Sequence, residues 1–185
     1  MSNQHKYFEE CLAYHCAPVL RKCKSANMFH ISRSKIPNID CLVHEYNEIF
    51  SSKQLFIRIL QADKPRITIY LYSAEILESI LEDPAIRSFL RQYKYPLNSI
   101  SACLDHLDKR LNETKFPHEI GIFLGYPLQD VLGFINHEMC YYVGTWKVYN
   151  SNKVEYFKTL FNRFDDLRNE FINAIEQGVR IECLV

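Results

Sequence analysis

The sequence predicts an α+β fold, and three observations carry that expectation. The stretch "QLFIRILQADKPRITIYLY" holds two β-branched, aromatic-rich runs around a polar turn, the pattern of a β-hairpin. Residues 152–177 repeat apolar side chains at helical spacing over the longest such stretch of the chain. No repeat, low-complexity segment or Gly/Ser/Pro-rich linker interrupts the 185 residues, of which 48% are hydrophobic and can fill a core. The expectation is a single two-layer domain over residues 1–185, a mostly antiparallel sheet of about three to five strands packed with about six to eight helices.

Taken in order, residues 5–22 read as a helix with Tyr7, Cys11, Leu12, His15 and Val19 on one face, bent or shortened by Pro18. "SANMFHIS" reads as a short strand, and "DCLVHEYNEIF" as a helix capped by Asn38 or Asp40. The hairpin follows, turning at Ala62-Asp63-Lys64-Pro65. In its second strand Ile67, Ile69 and Leu71 alternate with Arg66, Thr68, Tyr70 and Tyr72, so one face should be buried. Short helices are expected at 73–81, 84–91 and 97–112, and "YYVGTWKVY" has strand composition. The long helix carries an apolar stripe from Val154 through Phe157, Phe161, Phe164, Leu167 and Phe171 to Ile175, with Gly178 as its stop. "VRIECLV" alternates and is expected to return as an edge strand.

Charge and motifs exclude several function classes. Twenty-two basic residues balance twenty-two acidic ones, so no global pull toward nucleic acid or anionic lipid is expected. The start "MSNQHKYFEECLAYHC" lacks an apolar run behind a basic segment, and no uncharged apolar stretch reaches about 18 residues. Neither a secretory signal nor a membrane span is expected, and the cytosol is the expected compartment. Seven scattered cysteines without a C-x-x-C then read as reduced thiols, and the Asn112-Glu113-Thr114 sequon carries no weight. The five glycines build neither G-x-G-x-x-G nor a P-loop, and no G-x-S-x-G occurs. His118-Glu119 falls short of H-E-x-x-H, because Ile122 stands where the second His would be.

Chemistry is expected to concentrate in "KFPHEIGIFLGYPLQDVLGFINHEMC". Pro117 suits a first helical turn, and Glu119 suits the positive end of a helix. Gly125 ends that helix, Pro127 restarts one, and Asp130 lies in the new first turn, giving a helix-turn-helix pair over about 117–137. A DNA-reading role is excluded by chemistry: the second helix is apolar, and residues 116–146 contain no Lys or Arg. Gly121 and Gly125, four apart, are expected on one helix face, where a backbone, ring or ligand can come close. A close-packed corner with a surface His and a ligand-facing His118-Glu119 pair both fit this pattern.

The blocks "FPHEIGIFLGYPLQDVLGFI" and "GTWKVY" resemble the signature of an uncharacterised bacterial domain-of-unknown-function family of small cytosolic proteins, mainly from anaerobic Gram-positive bacteria. The likeness extends to "APVLRKCKSANMF" and the closing helix, nearly the whole chain. It implies a role near iron or flavodoxin-type redox metabolism, with a flavodoxin-like protein as partner. In that family a Glu is usual where this chain has Gln129, which implies that an acid there is dispensable.

Three Cys/His pairs stand at i, i+3: Cys41/His44, Cys103/His106 and His137/Cys140. On helices each could offer two soft ligands to zinc or iron; the plainer reading is core cysteines with boundary histidines. Lys24, Arg58, Arg110 and Lys147 stand in or beside apolar runs, where they would form ion pairs or bind an anion. Arg58 and Lys147 are expected to reach toward Glu119 or Asp130. Tyr141, Tyr142, Trp146 and Tyr149 could stack on a flavin, haem or other planar ligand, or simply pack a core.

The expected function is small-molecule or cofactor binding at the 117–130 corner, with no particular cofactor indicated. Lys24, His118, Glu119, Gly121, Gly125, Asp130 and Lys147 form its ligand shell, and His118 with Glu119 are the acid/base candidates if a reaction occurs. The alternatives are a non-enzymatic accessory protein docking to a redox partner, and a metal or haem carrier.

Overall fold

A computed structural model of the chain describes residues 3–62, 64–113 and 116–185. Asp63 of the expected hairpin turn, and Thr114 of the sequon, lie outside the described residues. The fold is α+β: among the described residues there are eight α-helices, a three-stranded antiparallel sheet and a separate two-stranded ribbon. No helix among them is long and apolar enough to cross a membrane. The chain forms two compact units. One runs to Leu77 and takes in Leu167–Val185 as well; the other is Glu78–Asp166.

The first unit is built on α1 (Asn3–Leu20), β1 (Ala26–Ser32), α2 (Ile39–Ser51), β2 (Leu55–Leu60) and β3 (Arg66–Ser73). The strands run in the order β1-β3-β2, with Phe29 and Ile59 both opposite Ile69. The hairpin is therefore as expected, but β3 is the central strand. It buries Thr68 and Tyr70 as well as Ile67, Ile69 and Leu71, so the one-faced alternation does not hold. Thr68 is accommodated because its hydroxyl meets His30 Nδ1 at 2.9 Å and donates to Gln61 Oε1 at 3.0 Å.

The buried side of α1 is rotated from the expected one. It carries Phe8, Leu12, Ala13, Cys16 and Ala17, whose small members let the helix lie close to β1 and β3, and Tyr7 is exposed. Pro18 sits in the last turn and cannot donate to the Tyr14 carbonyl one turn back; Arg168 Nε donates to it instead, at 3.0 Å.

Helix α8 (Val154–Glu176) contributes Leu167, Phe171 and Ile175 to this core, and stops at Gly178, whose φ of 86° suits the left-handed cap. The segment beyond is not an edge strand. Ile181–Leu184 forms a 3-10 turn, because the Ile181 amide is taken by the Glu9 carboxylate at 3.2 Å rather than by a sheet. Glu9, fully buried, also accepts from Arg180 Nε and Tyr46 Oη, each at 2.7 Å.

The second unit begins within α3 (Ala74–Glu82) and contains α4 (Pro84–Gln92) and α5 (Ile100–Leu111). These are capped by Asp83 and Ser99, whose side chains accept the orphan amides Ala85, Ile86 and Ala102. Next come α6 (Ile120–Phe123), α7 (Leu128–Ile135), β4 (Tyr142–Val143) and β5 (Lys147–Val148). "YYVGTWKVY" is thus a tight two-stranded ribbon rather than one strand. Trp146 and Val148 pack with Phe157, Phe161 and Phe164 from the first half of α8.

Candidate functional site

The corner between α5 and α7 is tighter than the sequence suggests. Helix α6 is a single turn, and Gly125 lies beyond it with φ 76°, receiving the chain as it leaves the helix. Tyr126 N donates to Gly121 O at 2.8 Å and Gly125 N to Ile122 O at 3.0 Å, the double bond of a Schellman cap. Gly121 and Gly125 therefore do not share one helix face. Gly121 serves packing: a Cβ there would lie 2.8 Å from Val131 Cγ2 and 3.1 Å from Tyr126 Cδ2.

His118 and Glu119 part company. Glu119 is 1% exposed, and its Oε1 accepts from Arg110 Nε at 2.8 Å and from Tyr95 Oη at 3.3 Å. Burial, then the charge of Glu119, holds the Tyr95 phenol well above its ordinary range. His118 is exposed, edge-on to Phe134 with ring centroids 5.1 Å apart, and 5.9 Å from Phe116. Lys147 does not reach toward Glu119 or Asp130; its ammonium lies over the other partner of this group, 5.3 Å from the Phe134 ring.

Asp130, in the first turn of α7, ties later segments of the chain to this helix. It is 3% exposed; Oδ2 accepts the Trp146 indole N–H at 2.9 Å, and Oδ1 accepts the Tyr149 amide at 2.7 Å. The two bonds tie the ribbon and the residue that follows it to the first turn of α7. Gly133, one turn on, leaves room for the Tyr149 side chain: a Cβ there would come within 2.7 Å of Tyr149 Cβ and Cδ1. Asn150 Nδ2 then donates to Gln129 Oε1 at 3.1 Å.

The result is a cleft of about 360 Å³ between α7 and residues 138–151. Gln129, Leu132 and Asn136 line it from the helix, and Glu138, Tyr141, Tyr149, Asn150 and Ser151 from the segment that follows. At 100° per residue Phe134 falls nearly opposite this wall, so α7 presents a cleft on one side and the exposed Phe134–His118–Lys147 group on the other.

Residues 12–185 match the family described as protein of unknown function (DUF3793). The chain belongs to this family. No curated protein and no solved structure matches it. In this DUF3793 protein the matched region includes the whole corner, the cleft and the ribbon.

The other candidates of the DUF3793 protein are not among the residues that line the cleft. Lys24 belongs to the first unit, where its buried ammonium donates to the Ala26 carbonyl at 2.5 Å; burial pulls its pKa down to about 7. Arg58 is half-buried on β2 of the same unit. Cys41 and His44 are both exposed on α2. Cys103 donates to the Pro96 carbonyl and His106 Nε2 to the Tyr93 carbonyl at 2.9 Å, and burial pushes the Cys103 thiol up to about 11. Cys140 donates to the Tyr142 carbonyl, while His137 is exposed in the turn after α7 with φ 55°. Among the described residues no three or more His, Cys, Asp and Glu side chains are grouped to hold a metal ion.

Of the cleft residues, sequence reasoning singles out the rings of Tyr141 and Tyr149 but not Asn136, Glu138, Asn150 and Ser151. The available signal is that "INHE" and "YNSN", the polar stretches that end α7 and precede α8, flank the aromatic run.

Proposed function

We propose that this DUF3793 protein binds a small molecule in the cleft beside α7. The observation that supports the reading is the use of two buried devices, Asp130 and Gly133, to fix Tyr149 against the helix. A buried carboxylate is costly unless fully hydrogen-bonded, and a mid-helix glycine costs about 1 kcal/mol relative to alanine. Together they hold an open, polar-lined wall in one geometry, the arrangement that ligand sites use to limit ordering on binding. In this reading Asp130 and Gly133 position the wall; Gln129, Asn136, Tyr141, Tyr149 and Asn150 meet the ligand. Glu119 stabilises the corner through Arg110 and Tyr95.

Amide-resolved NMR of the full chain against a fragment set that includes flavin and haem tests the proposal. Saturable shifts confined to residues 129–151 are expected. A set that perturbs nothing there would overturn it.

A second reading is favoured by the far side of α7. Phe116 (56% exposed), His118, Phe134 (40% exposed) and Lys147 are linked by ring and cation–π contacts, with Val143 beside Lys147 on the ribbon. Such a group fits an accessory protein docking to a redox partner of the flavodoxin type. Phe134→Ala with His118→Ala should then abolish chemical-shift changes on adding a flavodoxin. Unchanged spectra of the unsubstituted chain on that addition would dispose of this reading.

A further inference from the structure

The chemistry of the cleft lining narrows the ligand class, and the narrowing rests on the small-molecule reading above. Of the side chains that line it, Gln129, Asn136, Asn150 and Ser151 are neutral, and each presents a donor and an acceptor or a rotatable hydroxyl. Lys, Arg and His are all missing from the lining, and Glu138 is its one formal charge. A phosphate or carboxylate ligand would therefore meet no counter-ion and one repelling carboxylate.

Two tyrosine rings, Tyr141 (49% exposed) and Tyr149, supply flat apolar surface in the same cleft. Several polar partners are already held in place. Asn150 is fixed at both ends, donating to Gln129 and accepting from the Asn152 amide at 3.0 Å, while Asn136 Nδ2 approaches Glu138 Oε1 at 3.4 Å. Burial raises the Tyr149 phenol, and Cys140, Asp130 and Glu138 reinforce it, in keeping with a field that disfavours anions. The volume of about 360 Å³ is at the small end for ligand sites, room for one or two rings.

Alternating donors and acceptors beside apolar ring faces match a ligand whose rim is all hydroxyl and whose face is C–H. We infer that the cleft takes an uncharged polyhydroxylated ring, as found in a free monosaccharide or in the ribose of a nucleoside.

The test is an amide NMR titration of the full chain with glucose, ribose, adenosine, glucose 6-phosphate and spermidine. Glucose, ribose or adenosine is expected to shift Asn150 and Ser151 saturably, with glucose 6-phosphate at least tenfold weaker than glucose if the free sugar is the ligand. Binding by adenosine alone assigns the ribose source when 2′,3′-dideoxyadenosine, which lacks those hydroxyls, binds at least tenfold weaker, and assigns the base, overturning the inference, when it does not. Tyr141→Ala, an exposed change with little bearing on folding, should weaken the neutral ligand by about threefold to tenfold. Glu138→Gln should tighten glucose 6-phosphate relative to glucose. Tighter binding of spermidine or the sugar phosphate than of every neutral ligand overturns the inference while leaving the small-molecule reading intact. So does a response to flavin, haem or another fragment with none to the five probes. Silence of residues 129–151 toward every compound removes both.

Discussion

Trp146 donates its indole N–H to Asp130 Oδ2 across sixteen residues of sequence, and the same carboxylate takes the Tyr149 amide on its other oxygen. One buried acid thus fixes the only tryptophan of the chain and one wall of the cleft. Asp130→Ala leaves the buried Trp146 indole and the half-buried Tyr149 amide without this acceptor. A loss of about 2–4 kcal/mol in urea unfolding is expected, with Trp146 emission moving to longer wavelength. Unchanged emission would mean that the indole does not depend on Asp130.

Adjacent residues should behave in opposite ways at positions 118 and 119. Glu119→Ala removes the buried partner of the half-buried Arg110 guanidinium, which keeps Glu113, and leaves the Tyr95 hydroxyl without that acceptor, so about 1–3 kcal/mol of stability should be lost. His118→Ala, at an exposed position, should change it by less than about 0.5 kcal/mol. Paired denaturant curves decide the matter. Equal effects would contradict the division of the pair into a buried and a surface member.

Gly133→Ala places a methyl group where the Tyr149 side chain lies. The gain in helix propensity of about 1 kcal/mol is smaller than the strain of overpacking, so a net loss of about 1–2 kcal/mol is expected. Shifts of the Tyr149 and Asn150 amides should accompany it. A stabilised variant would show that Tyr149 moves aside freely.

Lys24 gives the fold a pH dependence of defined sign. Its folded pKa of about 7 lies below the ordinary 10.5, so between these values the unfolded chain binds a proton that the folded chain releases. Stability therefore rises with pH above about 7, by at most about 1.4 kcal/mol per unit. Near pH 9 the rise is opposed by the thiols, because burial holds Cys16 protonated in the folded state. His15, whose pKa burial lowers, acts only at lower pH. Urea midpoints from pH 7 to 8.5 should climb in the unsubstituted chain and stay level in Lys24→Met.

The elements that were legible in the sequence are those whose signal is local. The β2–β3 hairpin, the Pro84 helix start, the α8 stripe and its Gly178 stop are each specified within a few residues of themselves. The misread segments are those decided by a distant partner. "VRIECLV" alternates like a strand, but Glu9, some 170 residues earlier, takes the Ile181 amide. The alternation of β3 was visible, yet Thr68 and Tyr70 are buried as well, in a strand flanked by the distant β1 as well as by β2. At the corner, Glu119 and Asp130 were marked out by their expected places in first helical turns. Their roles were not, since Arg110, Tyr95, Trp146 and the Tyr149 amide come from other elements. The cleft was the least legible feature, because uncharged amides and a serine carry no periodicity and no motif.

The sheet-containing unit includes Leu167–Val185, and its core lacks Phe171, Ile175 and Ile181 until that segment has been made. Synthesis on the ribosome therefore delivers the Glu78–Asp166 unit whole before the earlier-made strands can finish packing. The first 77 residues must wait, with the faces meant for Leu167–Val185 uncovered, through the translation of some ninety more. This order of completion makes truncation near residue 166 more damaging to the sheet than to the cleft.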